Sequence, residues 1–320
     1  MPAPRPPAAL SERWFRTSPD SSVLPRPRLL ARLLVDLDDL DRRIAFFEHL
    51  LGVPADLRMP IPDFGGLELA AVGNLLLIAS ARPFTPIQRR TAYSLIVPSL
   101  TGRLERLRAT GTVVLEPPEV IVPGSRARVR HPDGSVAELV EHRPQPGELP
   151  CPPAAFTDGR AGGGVRLLAR RAVPRAGFAE AVALYESVLE AKAGPGPGSP
   201  RTAGTADVGQ ADVGQADLGQ ADVGQADVGQ ADAGQAATAR AIVGNLLLVA
   251  VDDGQAGAPT QPAYALLAPS AAGLDARLAR LGAGPARAGS ARAGAGSGPW
   301  TVTLPGGVPA EVWTAPAGRA

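Results

Sequence analysis

Four sequence blocks occur twice in this chain, in the same order, and that duplication limits the fold more than any other feature. LLAR at 29–32 returns at 167–170, and VGNLLLIA at 72–79 returns as VGNLLLVA at 243–250. AYSLIVPS at 92–99 returns as AYALLAPS at 263–270, and PDGSVAELV at 132–140 is echoed by PGGVPAEVW at 305–313. A unit repeated at this length has to form the same structure twice. The spacing between copies is informative as well. Arg32 to Arg170 is 138 positions, Gly73 to Gly244 and Tyr93 to Tyr264 are each 171, and Glu138 to Glu311 is 173. The jump of 33 falls where copy two carries six ADVGQ-like pentapeptides, the 30 residues from 206 to 235. The run is therefore an insertion into a loop of an existing fold.

The A-D-V/L pattern of that run resembles a pentapeptide β-helix. Such a helix needs about four pentapeptides per coil and several stacked coils to bury a core. Six repeats fall short, and a glycine in each adds backbone entropy cost. With its Gly/Pro-rich flank, 193–238 is expected to be a disordered low-complexity insertion.

Within copy one, LLARLLVD is rich in β-forming residues and predicts a strand. In the next segment Leu40, Ile44, Phe47 and Leu51 recur at helical spacing, Asp38 or Asp39 can cap the start, and Gly52 stands where a C′ glycine belongs. Two strands then meet at the turn dipeptide Gly73-Asn74. After a strand at 92–97, Leu100, Leu104 and Leu107 mark a second helix that stops at Gly111, and three more strands follow.

This order resembles the vicinal oxygen chelate superfamily, which includes glyoxalase I, extradiol dioxygenases and bleomycin-resistance proteins. The resemblance is carried by VDLDDLDRRIAFFEHLLGV and by RVRHPDGSVAELVEH; copy two is more eroded, with Leu189-Glu190 where Leu-Gly would stand. It implies an α+β fold of two tandem glyoxalase-like domains, each of two βαβββ modules forming a cupped mixed sheet. The expected division is a disordered N-terminal segment at 1–27, domain one at 28–143, a Pro/Gly-rich linker at 144–163 and domain two at 164–315. The two domains are expected to pack on each other.

In metal-using members of that superfamily the cup holds a divalent ion on His, Gln or Glu from the first and last strands of each module. Carried over one at a time, those positions fall on Arg32, about Leu77, Ala92 and Glu138 in copy one. In copy two they fall on Arg170, about Leu248, Ala263 and Glu311. Only Glu138 and Glu311 are retained, and a guanidinium that stays protonated repels a cation. Both cups are therefore expected to be metal-free and to need no cofactor. Arg32 and Glu138 are expected to pair where the ion would sit, as are Arg170 and Glu311. Such a pair either fills a dead site or anchors a polar group of a ligand.

Other candidates can be weighed in the same way. Tyr93 and Tyr264 stand one position past the third ligand site; alternation favours packing over ligand contact. Phe64 either covers a cup mouth or folds onto the sheet. The alternation of Arg126, Arg128 and Arg130 reads as a solvated face, with an acidic-ligand rim as the sharper option. His49, His131 and His142 read as surface or turn residues, and Trp300 and Trp313 as core or interdomain contacts.

Composition narrows the partners. With 32 basic and 31 acidic residues there is no field to attract nucleic acid or an anionic membrane. The single cysteine, Cys151, excludes an intrachain disulfide and reads as a linker thiol. No apolar run approaches the roughly 18 to 20 residues of a membrane helix, and the start lacks a signal-peptide h-region. A cytoplasmic protein is expected. The leading reading is metal-independent binding of a small, partly hydrophobic molecule, an antibiotic or a metabolite. Its rivals are a lyase, isomerase or dioxygenase using a divalent metal on atypical ligands, and a non-catalytic interaction or regulatory scaffold. The incomplete ligand sets lean against an enzyme.

Overall fold

The computed structural model describes residues 14–16, 20–61, 66–121, 124–144, 164–198, 239–255, 262–282 and 299–314. Copy one opens with the short strand β1 (Trp14–Phe15). Its first βαβββ module is β2 (Arg28–Asp36), α1 (Leu40–Leu51), β3 (Ala55–Ile61), β4 (Leu67–Val72) and β5 (Leu75–Ser80). A short helix α2 (Pro86–Arg90) leads into the second module: β6 (Thr91–Ile96), α3 (Leu100–Ala109), β7 (Val113–Ile121), β8 (Gly124–Arg130) and β9 (Val136–Glu141). Copy two follows the same plan with β10 (Arg166–Pro174), α4 (Phe178–Leu189), β11 (Ala193–Pro195), β12 (Arg240–Val243) and β13 (Leu246–Val251). It closes with β14 (Tyr264–Ala268), α5 (Ala271–Arg280), β15 (Trp300–Leu304) and β16 (Val308–Thr314). Residues 283–298, where a third strand of the last module would fall, lie outside the described residues.

The strand order in the first sheet is β1-β3-β4-β5-β2-β6-β9-β8-β7, and in the second β11-β12-β13-β10-β14-β16-β15. Each module runs its last strand parallel to its first, β2 with β5 and β6 with β9. The two first strands, β2 and β6, lie antiparallel at the centre. Copy two repeats this with β10–β13, β14–β16 and the central pair β10–β14. The chain is therefore α+β, with two mixed sheets built from paired βαβββ modules.

Alternation along the central strands divides the molecule into faces. Leu29, Ala31, Leu33 and Val35 of β2 point one way and join α1, α3, α4 and α5 in one large apolar cluster. Leu167, Ala169 and Val173 of β10 enter the same cluster, so the two copies share a core through their helix-bearing faces. The opposite faces form two separate smaller clusters, one per copy, and these are the cups.

Two expected boundaries change. Residues 14–16 and 20–27, expected to be disordered, belong to the first domain. Trp14 and Phe15 pair with Arg58 and Leu57 of β3, Phe15 is buried, and Ser21 Oγ donates to the Val97 carbonyl at 2.7 Å. Burial of Phe15 and satisfaction of an exposed sheet end give this segment a reason to order. The insertion also begins later than 193, because Ala193–Pro195 forms β11 against β12. Residues 1–13, the stretch 145–163 with Cys151, and 199–238 with the ADVGQ run lie outside the described residues.

Helix α1 ends as its sequence predicts, with Gly52 at φ +71° and its N–H bonded to the Glu48 carbonyl. The equivalent residue of copy two is Glu190, at φ +49° the one non-glycine residue with positive φ among those described. That conformation is disfavoured for a side-chain-bearing residue. Its carboxylate compensates by meeting Arg103 of the other copy at 2.6 Å.

Candidate functional site

The cup of copy one is a cavity of about 830 Å³, within the size range of small-molecule sites. Its two halves differ because its two modules differ. On the β2–β5 half, Leu30, Leu69, Ala71, Leu76 and Ile78 face inward and make an apolar wall. On the β6–β9 half Ser94, Arg126, Arg128 and Glu138 face inward beside the apolar Ile96 and Val140. Arg32 reaches across from β2 to join them.

Arg32 and Glu138 meet at 2.8 Å, with Arg32 Nη1 also 3.4 Å from Ser94 Oγ. Glu138 accepts two further guanidiniums on its other oxygen, Arg128 at 3.0 Å and Arg126 at 3.2 Å. Arg128 in turn donates to Glu116 at 2.6 Å, and Arg126 to Glu119 at 2.9 Å. Burial would raise the Glu138 carboxyl, but Arg32, Arg128 and Arg126 outweigh it and hold the group below the usual carboxylate range. Burial lowers Arg32 against the pull of Glu138, and repulsion from Arg128 and Arg126 adds to the lowering. The polar wall is thus a network of ion pairs in which three guanidiniums surround one buried carboxylate.

Copy two has the same pair and a different cup. Arg170 Nε lies 2.7 Å from Glu311 Oε2, a close ion pair whose N–H is not aligned on the oxygen. The second oxygen of Glu311 accepts the Trp313 indole N–H at 2.6 Å. Trp313 stands where copy one has Val140, and its ring fills the face between Leu168, Leu247 and Val249 with 1% exposure. The Arg240 guanidinium covers the ring at 4.5 Å, a cation–π contact. Thr301 takes the place of Arg128 opposite the glutamate. Among the described residues, one tryptophan and one arginine thus fill the face that is open in copy one.

Several expectations need correcting. Tyr93 and Tyr264 pack as the favoured reading had them, buried between the copies, and only their alternative as ligand contacts falls, since they line neither cup. The Tyr93 hydroxyl bonds with Tyr185, and the Tyr264 hydroxyl donates to the Arg32 carbonyl. Burial pushes the Tyr93 hydroxyl up to about 12, so it stays protonated and serves as a hydrogen-bonding anchor. The third ligand position is Ser94, and Ala265 in copy two, rather than Ala92 and Ala263. A register shift between Thr91 and Tyr93 leaves Ala92 exposed at a bulge, and the cup-facing partners of the glutamates are Ser94 and Ala265. Leu77 and Leu248 face the shared core, while Leu76 and Leu247 face the cups. Phe64 lies outside the described residues.

Arg126 and Arg128 form a cup wall instead of a solvated face; only Arg130 of the three is exposed. The Pro-Asp-Gly hairpin could have shown this, since a tight turn there pairs Arg128 with Glu138. His131 is buried rather than at the surface, stacked on Tyr93 at 6.2 Å and edge-on to Tyr185 at 6.4 Å. His142 is also not a surface residue; it is half-buried and lines the cup. Trp300 is half-buried against the shared core.

The donor set does not fit a divalent metal. The four inward positions of copy one offer Arg32, Leu76, Ser94 and Glu138, and the single carboxylate has both oxygens engaged by arginine. A cation there would meet three guanidiniums. In copy two the residues are Arg170, Leu247, Ala265 and Glu311, with Glu311 engaged by Arg170 and Trp313.

The observed fold, paired βαβββ modules with antiparallel first strands built twice, is the one that the sequence resemblance implies. No protein-family model matches the chain, and no curated protein does. Among solved structures, an uncharacterised protein from Methanosarcina mazei is 36% identical over 38% of this chain and 95% of its own, with a TM-score of 0.34. The 2,3-dioxygenase LapB from Pseudomonas sp. KL28 is 15% identical, covering 91% of this chain and 92% of its own at a TM-score of 0.45. The Mn(II)-bound glyoxalase from Novosphingobium aromaticivorans is 12% identical over 90% and 81%, at 0.44.

Proposed function

We propose that copy one is a metal-independent binding domain for a small, partly hydrophobic molecule, and that copy two is a scaffold closed by its own tryptophan. The observation that carries this reading is the contrast between the cups. The same Arg–Glu pair lies under a cavity of about 830 Å³ in copy one and under a packed indole in copy two. A cup that served only structure would gain from being filled, as an empty apolar cavity costs stability in proportion to its volume.

The arrangement suits sequestration of an antibiotic or a metabolite better than turnover. Glu138 and the arginines deep in the cup are held in ion pairs, which leaves them poorly disposed to act as base or nucleophile. No helix among the described residues is long and apolar enough to cross a membrane, and we place the protein's action in the cytoplasm.

The test is a titration with phenylnaphthylamine, an uncharged dye that brightens in apolar surroundings, alongside metal analysis of the purified protein. Saturable binding of one equivalent, with less than a tenth of an equivalent of Mn, Fe, Ni or Zn (about the level of adventitious metal), is the expected result. Stoichiometric metal removed only with loss of dye binding would establish the rival metal-dependent enzyme instead.

A further inference from the structure

The charge distribution of the copy-one cup says what chemistry its ligand carries. Side-chain exposure is 3% for Arg32, 5% for Arg128, 17% for Arg126 and 13% for Glu138, so three guanidiniums and one carboxylate lie deep in the cup. The carboxylates that balance the excess, Glu116 and Glu119, are 38% and 52% exposed at the outer end of the wall. Water screens their contribution, and their long side chains are free to swing out. Arg32 Nε and Arg128 Nε are buried with no hydrogen-bond partner. A buried cation that lacks full pairing is costly, and an arriving anion relieves that cost. Opposite this wall stands the apolar face of Leu30, Leu69, Leu76 and Ile78. The other charged lining residues are more exposed than this cluster: Arg28 is paired with Asp56 at 3.2 Å, Asp20 is partly exposed and Arg82 is exposed, so the buried part of the cup offers cation on one side and hydrocarbon on the other.

We infer that the copy-one cup takes a hydrophobic monoanion, an oxyacid of the carboxylate or sulfonate class. Its head group accepts from Arg128 and Arg126 in place of Glu116 and Glu119, and its apolar body lies on the β2–β5 wall. Arginine suits this task because its planar fork matches an oxyacid bidentately. The inference rests on copy one being a ligand-binding cup, and it adds the sign of the ligand's charge. Copy two shows the contrast: where it lacks the second arginine, at Thr301, it has filled the space with Trp313.

The test compares two dyes that share an aromatic body. Anilinonaphthalene sulfonate carries the anion, and phenylnaphthylamine lacks it. The full chain is expected to bind the sulfonate about ten-fold more tightly, the scale of one charge-assisted contact, with the advantage shrinking as salt rises. Arg128→Met is expected to remove that advantage, read as the ratio of the two dyes' affinities within the variant. Arg126→Gln, at a more exposed position, is expected to act in the same direction should Arg128→Met fail to fold. Equal affinity for the two dyes, or a sulfonate affinity that neither variant lowers, would overturn the inference while leaving the pocket itself intact. Failure of both dyes to bind would overturn the pocket reading and the inference together.

Discussion

Glu138 is the residue on which the cup depends. Three guanidiniums converge on its two oxygens, and none of the three has another carboxylate as deeply buried. Glu138→Ala is expected to cost about 3 kcal/mol, because it leaves buried cations facing one another; a urea midpoint read at constant slope measures it. Replacing Arg32 by Met and Glu138 by Gln together removes one cation with the carboxylate but leaves Arg126 and Arg128 without it, so it is expected to recover less than half of that loss. The pair itself was legible, since it falls where two ligands of one ion would face each other. The second and third arginines were harder to read. Alternation shows that Arg126 and Arg128 share a face, but it cannot say whether that face meets solvent or the inside of a curved sheet. The difference between Val140 and Trp313 stood in the aligned blocks throughout; its meaning needed the direction in which that position points.

At the scale of elements, the end of α4 shows how a local rule is broken with compensation. Glu190 occupies a left-handed position that glycine fills in copy one, and it anchors Arg103, whose side chain is 1% exposed. Arg103 also donates to the carbonyls of Ser187 and Val188, so one arginine of copy one caps the last turn of a helix in copy two. Glu190→Gly would relieve about 1 kcal/mol of backbone strain and leave that arginine without its carboxylate. A net destabilisation of about 1 to 2 kcal/mol is expected, and chemical denaturation that found the variant more stable would show that the contact is idle. From sequence, Leu189-Glu190 reads only as erosion of a Leu-Gly ending, since the partner lies in another copy 87 positions away. The helices and most strands were readable from periodicity because their apolar faces are continuous. The bulge at Ala92 was not, since a one-residue slip leaves no trace in alternation until the strand is paired.

At the scale of the molecule, the two copies are joined by a polar cluster as well as by a shared apolar core. Tyr185 donates to Asp133 at 2.8 Å, Arg171 meets the same carboxylate at 2.7 Å, and His131 lies edge-on to Tyr185. Burial pushes His131 down from 6.5 to about 4, and Asp133 offsets this only in part. The folded chain therefore binds fewer protons than the unfolded chain between those values, so this contribution is complete above pH 6.5. It is lost as pH falls through about 4. A stability about 2 kcal/mol lower at pH 5 than at pH 7.5 is expected from this group. His142, which burial also pushes down to about 4, adds a similar amount, so the difference should fall by about half in His131→Gln, measured by urea unfolding at both pH values. The repeat foretold two domains of one kind. It could not foretell that their helix-bearing faces would merge, or that one copy would close its cup while the other kept it open.

That difference between the cups is the central claim, and Val140→Trp tests it most directly. The substitution gives copy one the residue with which copy two fills its own cup, and Val140 already lines the cavity, so the indole has room. The variant is expected to fold with wild-type circular dichroism and to lose all saturable phenylnaphthylamine binding, while the unaltered chain binds one equivalent. A folded Val140→Trp chain that still binds one equivalent with unchanged affinity would contradict the account, because the dye would then sit somewhere other than the copy-one cup.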